Sequence, residues 1–280
     1  MSSAKSETYQ GGPKPISTIV PDTKSTRIRV SAVSYINSFP FIYGLNNSSV
    51  LDRIDLSLDP PAKCAEKLIS GEVDVGLVPV ATISKVSNAQ IFTPFCIGAN
   101  GAVQSVCLYA ECNLNDIETI LLDPESRTSV RLAQILAKKH WNINPKWENA
   151  EAGFENRIEG TTAGVVIGDR AFKLNSTELK RWDLSEQWHQ MTGLPFVFAT
   201  WVSNCPLPQK FISEFNSALQ FGMDNRRDAI NNMLSKNLDN DAMIGYVENS
   251  IQYCLGTEEQ QAMERFQEMM ETVEIKQKSG

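Results

Sequence analysis

The segment VDVGLVP, residues 73–79, decides the fold class, because its apolar run is typical of a strand buried on both faces of a sheet. Helices are predicted on either side of it, over 60–70 and over 80–86. Further out, the alternating stretches 27–33 and 55–58 predict two more strands. Strands that alternate with helices are typical of a parallel sheet covered by helices, so the sequence predicts an α/β fold.

The rest of the chain predicts a second group of strands and a helical end. A length of 280 residues suggests two domains, at about 150 residues each. Further strands are predicted over 91–97, 103–109, 119–122, 142–148, 163–167 and 195–202. Further helices are predicted over 130–140, 170–174, 181–190, 208–226, 228–234, 241–254 and 258–272. The last helix begins with a predicted capping box of Thr257 and Gln260, and the C-terminal helices are expected to return to the first lobe.

The composition argues against several classes of protein. Acidic residues outnumber basic ones, 33 to 26, and no basic block stands out, so a nucleic-acid partner is not expected. The six cysteines are scattered without a metal-type pair. His140 and His189 are the two histidines, and neither lies in a metal-ligand or triad pattern. We therefore expect no metal and no cofactor, and an anionic ligand would need local donors.

Residues 1–26 are expected to be a disordered tail, because they are rich in Ser, Thr, Lys, Pro and Gly. The apolar run of a secretory signal is missing from them, and the chain has no apolar stretch of the roughly 20 residues that a membrane span needs. The sequence thus predicts a cytoplasmic protein without a membrane partner. It makes no prediction about the oligomeric state.

The strongest local signal for a ligand site is the run Ser126, Arg127, Thr128 and Ser129, which follows a predicted strand and begins a helix. A helix start leaves backbone N–H groups unpaired and carries a positive partial charge. Hydroxyls and an arginine at that position suit a carboxylate or a phosphate. The alternative is a plain helix cap, which Ser and Thr favour without any ligand.

Other polar residues follow predicted strands at the edge where open α/β sheets bind ligands. Ser34, Tyr35 and Asn37 form one such turn, which could also be an ordinary loop. Ser105, in contrast, lies near the start of the strand predicted over 103–109, and it could place its hydroxyl beside a cleft or satisfy a strand edge. Asp169, after Gly168, could be an acid, a base or the cap of the helix over 170–174, and base rates favour the cap.

Together, six segments resemble the chorismate dehydratases of the futalosine route to menaquinone. They occur in the family's order, over roughly residues 27–202, while the helices after residue 203 match only in general character. The segments are VSYINSFPFIYGL (33–45), EVDVGLVPVATI (72–83), GAVQSVCLYA (101–110), ESRTSVRLAQILA (125–137), AGVVIGDRAF (163–172) and WDLSEQWHQMTGLPFVFATWV (182–202).

The resemblance implies a two-lobed fold like that of type II periplasmic binding proteins, with the ligand cleft between the lobes. Strands over 105–110 and 196–202 would cross between lobes. Lobe I would then comprise residues 27–110 together with a return strand and helices over 196–280, and lobe II would comprise residues 111–195.

The implied reaction converts chorismate to 3-[(1-carboxyvinyl)oxy]benzoate and water. Because it creates an aromatic ring, the site needs only to hold two carboxylates, orient the ring and help hydroxide leave. Asn37 and Ser105 are the expected catalytic residues. The matched turns offer no His or Glu as an obvious base, so the substrate's own enolpyruvyl carboxylate is expected to take the proton. The expected substrate-binding residues are Ser34, Tyr35, Ser126, Arg127, Thr128, Ser129, Gly168 and Asp169.

Two other functions fit the same scaffold. One is the 1,4-dihydroxy-6-naphthoate synthase of the same pathway, although the turn over 34–37 and the stretch over 125–132 resemble the dehydratase more closely. The other is a solute-binding protein for a small carboxylate, which would need export or a lipid anchor. Incubation with chorismate separates all three functions.

Overall fold

The computed structural model describes residues 27–174, 178–234 and 239–273. The tail predicted over 1–26 lies outside these residues. Within them, the strands form two sheets, of six and five strands, and helices pack around both. We call each sheet with its helices a lobe. The α/β class predicted from the sequence is confirmed.

The first sheet contains the segment that decided the fold class. Its strand order is β11-β4-β10-β3-β1-β2, and β3 pairs parallel to β1 and antiparallel to β10. Every residue of β3 is buried, as expected for a strand covered on both faces. The strands are β1 (Ile28–Val33), β2 (Ile54–Asp59), β3 (Val75–Pro79), β4 (Gln90–Ala99), β10 (Phe196–Ser203) and β11 (Gln252–Cys254).

The second sheet has the order β7-β6-β8-β5-β9. Its strand β6 is parallel to both β7 and β8, whereas β5 runs antiparallel to β8 and β9. The strands are β5 (Val106–Ala110), β6 (Thr119–Leu122), β7 (Lys146–Asn149), β8 (Thr162–Ile167) and β9 (Lys180–Asp183).

The C-terminal helices pack on the first lobe. Helix α6 contacts α1 and β4, while α9 lies against β10 and also touches α3 of the second lobe. The helices are α1 (Phe39–Asn46), α2 (Pro61–Ser70), α3 (Thr128–Leu136), α4 (Asp169–Leu174), α5 (Leu184–Thr192), α6 (Gln209–Asp224), α7 (Arg226–Met233), α8 (Asn240–Asn249) and α9 (Thr257–Thr272).

Helices α1 and α6 cross with their backbones in contact. A Cβ atom on Gly222 would lie 1.8 Å from the Pro40 carbonyl oxygen, and one on Gly44 would lie 2.0 Å from the Ala218 carbonyl oxygen. Only glycine leaves room for such an approach. The two glycines therefore fix α1, which begins one residue after Ser38, against the C-terminal helices.

The structure corrects the lobe boundary expected from the sequence. Residues 106–110 form β5, which pairs with β8 and β9, so this strand belongs to the second sheet and not to the first lobe. The return strand β10 lies wholly in the first sheet. The chain therefore crosses between sheets in the short links 100–105 and 193–195. An apolar run shows that a strand is buried but not which sheet it joins.

Several predicted elements differ in type or extent. Residues 180–183 form the edge strand β9, so the helix predicted over 181–190 begins only at Leu184, with Asp183 as its cap. Residues 252–254 form a strand rather than the end of a helix. The helix predicted over 80–86 is a 3₁₀ helix over Val80–Lys85. Short edge strands carry polar residues and lack the pattern that marks a buried strand.

The ends of two further helices also differ. Helix α3 begins at Thr128 and gives way to a π-helical turn over Ala137–Trp141. The last helix is not capped by Thr257: the Glu259 carboxylate accepts a hydrogen bond of 2.9 Å from the Gly256 backbone N–H. In the part of the chain that is described, we found no helix long and apolar enough to cross a membrane.

Candidate functional site

Turns from both sheets meet around one cavity between the lobes. Together with the solvent at its mouth, the cavity encloses about 530 Å³. The first lobe contributes Val33, Tyr35, Asn37, Ser38, Pro61, Pro79, Ile97, Phe198 and Ala199. The second lobe and its connecting link contribute Val103, Ser105, Val106, Ser126, Arg127, Thr128, Ser129, Ile167 and Gly168.

Asn37 reaches this cavity from the turn after β1, where a 3₁₀ helix over Ile36–Ser38 leads into α1. Its side-chain Oδ1 accepts a hydrogen bond of 3.1 Å from the Ser38 hydroxyl. Its backbone carbonyl accepts one of 2.9 Å from the Tyr253 hydroxyl. The backbone of the turn is thus held by a residue more than 200 positions away, independently of the Asn37 side chain.

Ser105 faces the same cavity from the link that leads into β5. The residue is 1% exposed, and its Oγ lies 2.7 Å from the Tyr246 hydroxyl. Its carbonyl accepts a hydrogen bond of 2.8 Å from the Gly168 N–H. The two expected catalytic residues therefore line one cavity. The contribution of Tyr246 was missed, because a tyrosine on an amphipathic helix looks like a core residue.

Gly168 and Tyr35 depend on each other sterically. Gly168 has φ +66°, and a Cβ atom there would lie 2.7 Å from the Tyr35 ring. The Tyr35 hydroxyl donates a short hydrogen bond to Glu125 of the second lobe. Burial and the Glu125 carboxylate raise the pKa of Tyr35, so its proton stays in this contact. Tyr35 thus joins the lobes at the wall of the cavity.

The start of α3 lines the cavity as the sequence suggested, but several of its side chains are already engaged. The Ser126 hydroxyl accepts a hydrogen bond of 3.2 Å from the Ser129 N–H, while the cap position of α3 itself is Arg127. The Thr128 hydroxyl donates to the Phe198 carbonyl at 3.0 Å and accepts from the Ala81 N–H at 3.3 Å. Both partners of Thr128 belong to the first lobe, so this helix start is fixed across the cleft.

Arg127 brings a positive charge to the cavity wall. Its guanidinium donates to the Pro124 carbonyl at 2.9 Å and lies 3.4 Å from the Glu66 carboxylate. Because the Arg127 side chain is 41% exposed and Glu66 is 56% exposed, that ion pair is weak. The guanidinium can therefore exchange Glu66 for a ligand carboxylate at little cost.

Asp169 and Ser34, both expected to bind substrate, lie outside the cavity lining. Asp169 is the first residue of α4 and does not cap it: its Oδ1 accepts from the Ile36 N–H of the other lobe at 3.2 Å. Burial, aided by the nearby Glu125 carboxylate, raises the pKa of Asp169 to about 6. Because Asp169 lies inside α4 and bonds to the other lobe, the interpretation of Asp169 as a helix cap was wrong.

The backbone N–H of Ser34 donates a hydrogen bond of 3.0 Å to the Asp59 carbonyl.

A network of charged residues behind the cavity was not anticipated. The Asp123 carboxylate is fully buried and accepts from Arg170 at 2.6 Å and from the Ile167 N–H at 3.2 Å. Arg170 also contacts Glu125 at 3.2 Å and Glu155 at 2.9 Å. Burial raises the pKa of Asp123, and Arg170 opposes that effect. The network holds Glu125 where Tyr35 reaches it.

Metal-ligating side chains do not gather here. Within the described ranges, we found no group of three or more His, Cys, Asp or Glu residues that could hold a metal ion. Cys64, Cys96 and Cys107 are buried, and burial raises the pKa of each thiol.

The two sheets and the cavity between them define a two-lobed protein with the periplasmic-binding-protein fold. A solved protein from Archaeoglobus fulgidus superposes with a TM-score of 0.71 at 16% identity, covering 88% of this chain and 97% of that one. A Candida albicans gene product with the generic periplasmic binding protein fold gives 0.61 at 11% identity, covering 91% and 92%. The aliphatic sulphonate binding protein SsuA of Escherichia coli gives 0.56 at 16%, covering 89% and 94%. The two-lobed fold expected from the sequence is confirmed.

The chain belongs to the menaquinone biosynthesis family, whose model matches residues 28–272. It is similar to the chorismate dehydratase of Thermus thermophilus, with 30% identity over 188 residues, which is 60% of this chain and 69% of that one. It also resembles the chorismate dehydratase of Campylobacter jejuni, with 26% identity over 172 residues, covering 60% and 63% of the two chains. The family expected from the sequence is confirmed.

Proposed function

We propose that this protein is a chorismate dehydratase, which converts chorismate to 3-[(1-carboxyvinyl)oxy]benzoate and water. The observation that carries the proposal is the convergence of Asn37, Ser105 and the start of α3 on one cavity. These residues come from separate parts of the chain and are those that the family resemblance selects. The two curated relatives named as chorismate dehydratases support the same activity.

The reaction is an elimination. The C3–H bond and the C4–O bond of chorismate break, a double bond forms between C3 and C4, and the ring becomes aromatic. The proton and the departing hydroxide leave together as water. Because the product ring is aromatic, the step is strongly downhill, and positioning with hydrogen-bond donation is enough to promote it.

Neutral donors in the cavity suit this chemistry. Asn37 and Ser105 orient the ring and donate hydrogen bonds to the departing C4 hydroxyl. The substrate's enolpyruvyl carboxylate, which is held next to C3, takes the C3 proton. Asp169 is not needed as the base, because it lies outside the cavity lining and already accepts from the Ile36 N–H.

The start of α3 holds one of the substrate carboxylates. Unpaired N–H groups and a positive partial charge favour an anion at a helix start, and Arg127 adds a full charge at the same wall. Tyr35 and Gly168 also line the cavity, and the missing Cβ of Gly168 leaves room for the tyrosine ring.

The test is incubation of the purified protein with chorismate, with the product separated by chromatography. We expect the benzoate to form at the same rate after exhaustive chelation, since the proposed chemistry uses no metal. A rate restored only by a divalent ion would contradict that mechanism. Binding of chorismate without turnover would favour a solute-binding protein instead.

The cytoplasmic location stays a prediction of the sequence. Dehydratase activity measured separately in the cytoplasmic and exported fractions of the source cells tests it. Activity confined to the exported fraction would contradict it.

A further inference from the structure

The hydroxyl of Tyr246 lies against Ser105, one of the two residues to which we assign the chemistry. Tyr246 is on α8, in the region where the family resemblance is only general, and it is 4% exposed. Its hydroxyl is 2.7 Å from the Ser105 Oγ. Burial raises the pKa of Tyr246, so this hydroxyl keeps its proton.

The direction of this hydrogen bond follows from counting donors. The Tyr246 hydroxyl has a single proton to donate, and the Ser105 Oγ at 2.7 Å is the hydrogen-bond partner that can accept it. The Ser105 hydroxyl proton is then free to point into the cavity that Ser105 lines.

We propose that Tyr246 is a positioning residue for the elimination, because its buried hydroxyl donates to the Ser105 Oγ. This hydrogen bond holds the Ser105 hydroxyl as a donor toward the departing C4 hydroxyl of the substrate. Without it, the Ser105 hydroxyl rotates freely. This inference rests on the proposed dehydratase activity.

The ring of Tyr246 has a separate, structural role. It packs edge-on against Phe172, with ring centroids 4.8 Å apart. Phenylalanine keeps that packing and removes only the hydroxyl. Tyr246→Phe therefore separates the effect of the hydrogen bond to Ser105 from the effect of packing in the hydrophobic core.

Steady-state kinetics with chorismate tests the proposal. We expect Tyr246→Phe to lower kcat by about tenfold to a hundredfold, because a preorganised donor is lost in the transition state, while KM changes by less than about threefold. Tyr109→Phe is the matched control. It removes another buried tyrosine hydroxyl, which donates a hydrogen bond of 3.1 Å to the Ala171 carbonyl. Because Tyr109 lies outside the cavity lining, this variant should leave kcat unchanged.

A double-mutant cycle then asks whether Tyr246 acts through Ser105. In a Ser105→Ala background, Tyr246→Phe should have little further effect on kcat, since the group that it orients is already gone. An undiminished effect in that background, or an unchanged kcat in the single variant, overturns the inference but leaves the dehydratase activity intact. A wild-type protein that does not convert chorismate would instead contradict the proposed function itself.

A melting curve on the same preparation checks that Tyr246→Phe is folded, which is expected because the ring packing on Phe172 is kept. An unchanged kcat for the folded variant would overturn the inference.

Discussion

At the scale of single residues, Asn37 gives the most direct test of the chemistry. Asn37→Ala should lower kcat by about 10²–10³ with a smaller change in KM, because the lost hydrogen bond strengthens in the transition state. The folded turn should survive, since Tyr253 holds the Asn37 backbone carbonyl and not its side chain. Kinetics and a melting curve measured on the same preparation separate the two effects. A fully active variant would contradict the assignment.

The free energy of unfolding should depend on pH because of Asp169. Burial raises its pKa to about 6, so between about pH 4 and pH 6 the folded state holds a proton that the unfolded chain has lost. Stability therefore falls as the pH rises through this window, by about 3 kcal/mol for a shift of about two pKa units. Asp169→Asn keeps an acceptor for the Ile36 N–H and should be more stable than wild type at pH 7 but not at pH 4. Urea denaturation at both pH values measures the difference.

The same variant separates a structural Asp169 from a catalytic one. Because Asp169 lies outside the cavity lining, Asp169→Asn should turn over chorismate with a kcat within about threefold of wild type. A folded variant that binds chorismate and does not convert it would make Asp169 the base.

At the scale of elements, the crossing of α1 and α6 should be intolerant of any side chain. Gly222→Ala places a Cβ atom 1.8 Å from the Pro40 carbonyl oxygen, so the helices must separate, and the free energy of unfolding should fall by about 3 kcal/mol or more. Gly245→Ala in α8 is the control, since nothing lies within 4 Å of its added Cβ. That variant should gain up to about 1 kcal/mol from the better helix propensity of alanine. Equal stabilities for the two variants would contradict this packing.

The start of α3 makes a prediction about binding. Arg127→Gln should weaken chorismate binding by about tenfold or more, because a charge-assisted hydrogen bond contributes about 1.5–3 kcal/mol. Arg131→Gln is the matched control. Arg131 is on the same helix but donates to the Met270 carbonyl at 3.2 Å and lies outside the cavity that Asn37 and Ser105 line. Calorimetric titration with chorismate measures both affinities, and equal affinities would place the carboxylate elsewhere.

At the scale of the whole molecule, polar contacts across the cleft hold the two lobes together. Tyr35 donates to Glu125, the Ile36 N–H donates to Asp169, and Thr128 bonds to the backbone of the first lobe. One apolar core also extends through both lobes. Because water can satisfy the polar groups when they separate, each polar contact adds only about 0.5–3 kcal/mol to the arrangement seen here. A ligand that touches both walls adds to these contacts and should shift the molecule toward closure.

Tyr35→Phe should therefore favour the open arrangement. We expect the unliganded variant to have a larger radius of gyration than wild type in solution scattering, and chorismate should reduce it. Tyr43→Phe is the control and should leave the radius of gyration unchanged. Tyr43 stacks on Phe221, with ring centroids 6.2 Å apart, at the contact of α1 with α6 and not at the contact between the lobes. A radius of gyration that is the same for Tyr35→Phe and wild type would contradict a role for this hydrogen bond in closure.

The sequence by itself determined the elements that depend on local pattern. Apolar runs identified buried strands such as Val75–Pro79, and polar residues at the ends of strands identified Asn37, Ser105 and the turn over 126–129 as cavity-lining candidates. These features can be recognised because burial of a strand on both faces and the start of a helix each require particular residue types within a few positions. The family followed from six such segments in order.

Only the tertiary structure decided which of these groups meet. Val106–Ala110 joined the second sheet, Asp169 found its partner in the other lobe, and Tyr246 reached Ser105 across 141 positions of sequence. Each outcome depends on a hydrogen bond or a strand pairing between distant segments. The local sequence supplies the donors and acceptors, but it does not determine which distant group each one meets. The physical reason is that a buried polar group must be satisfied, and folding alone determines which group is close enough to satisfy it.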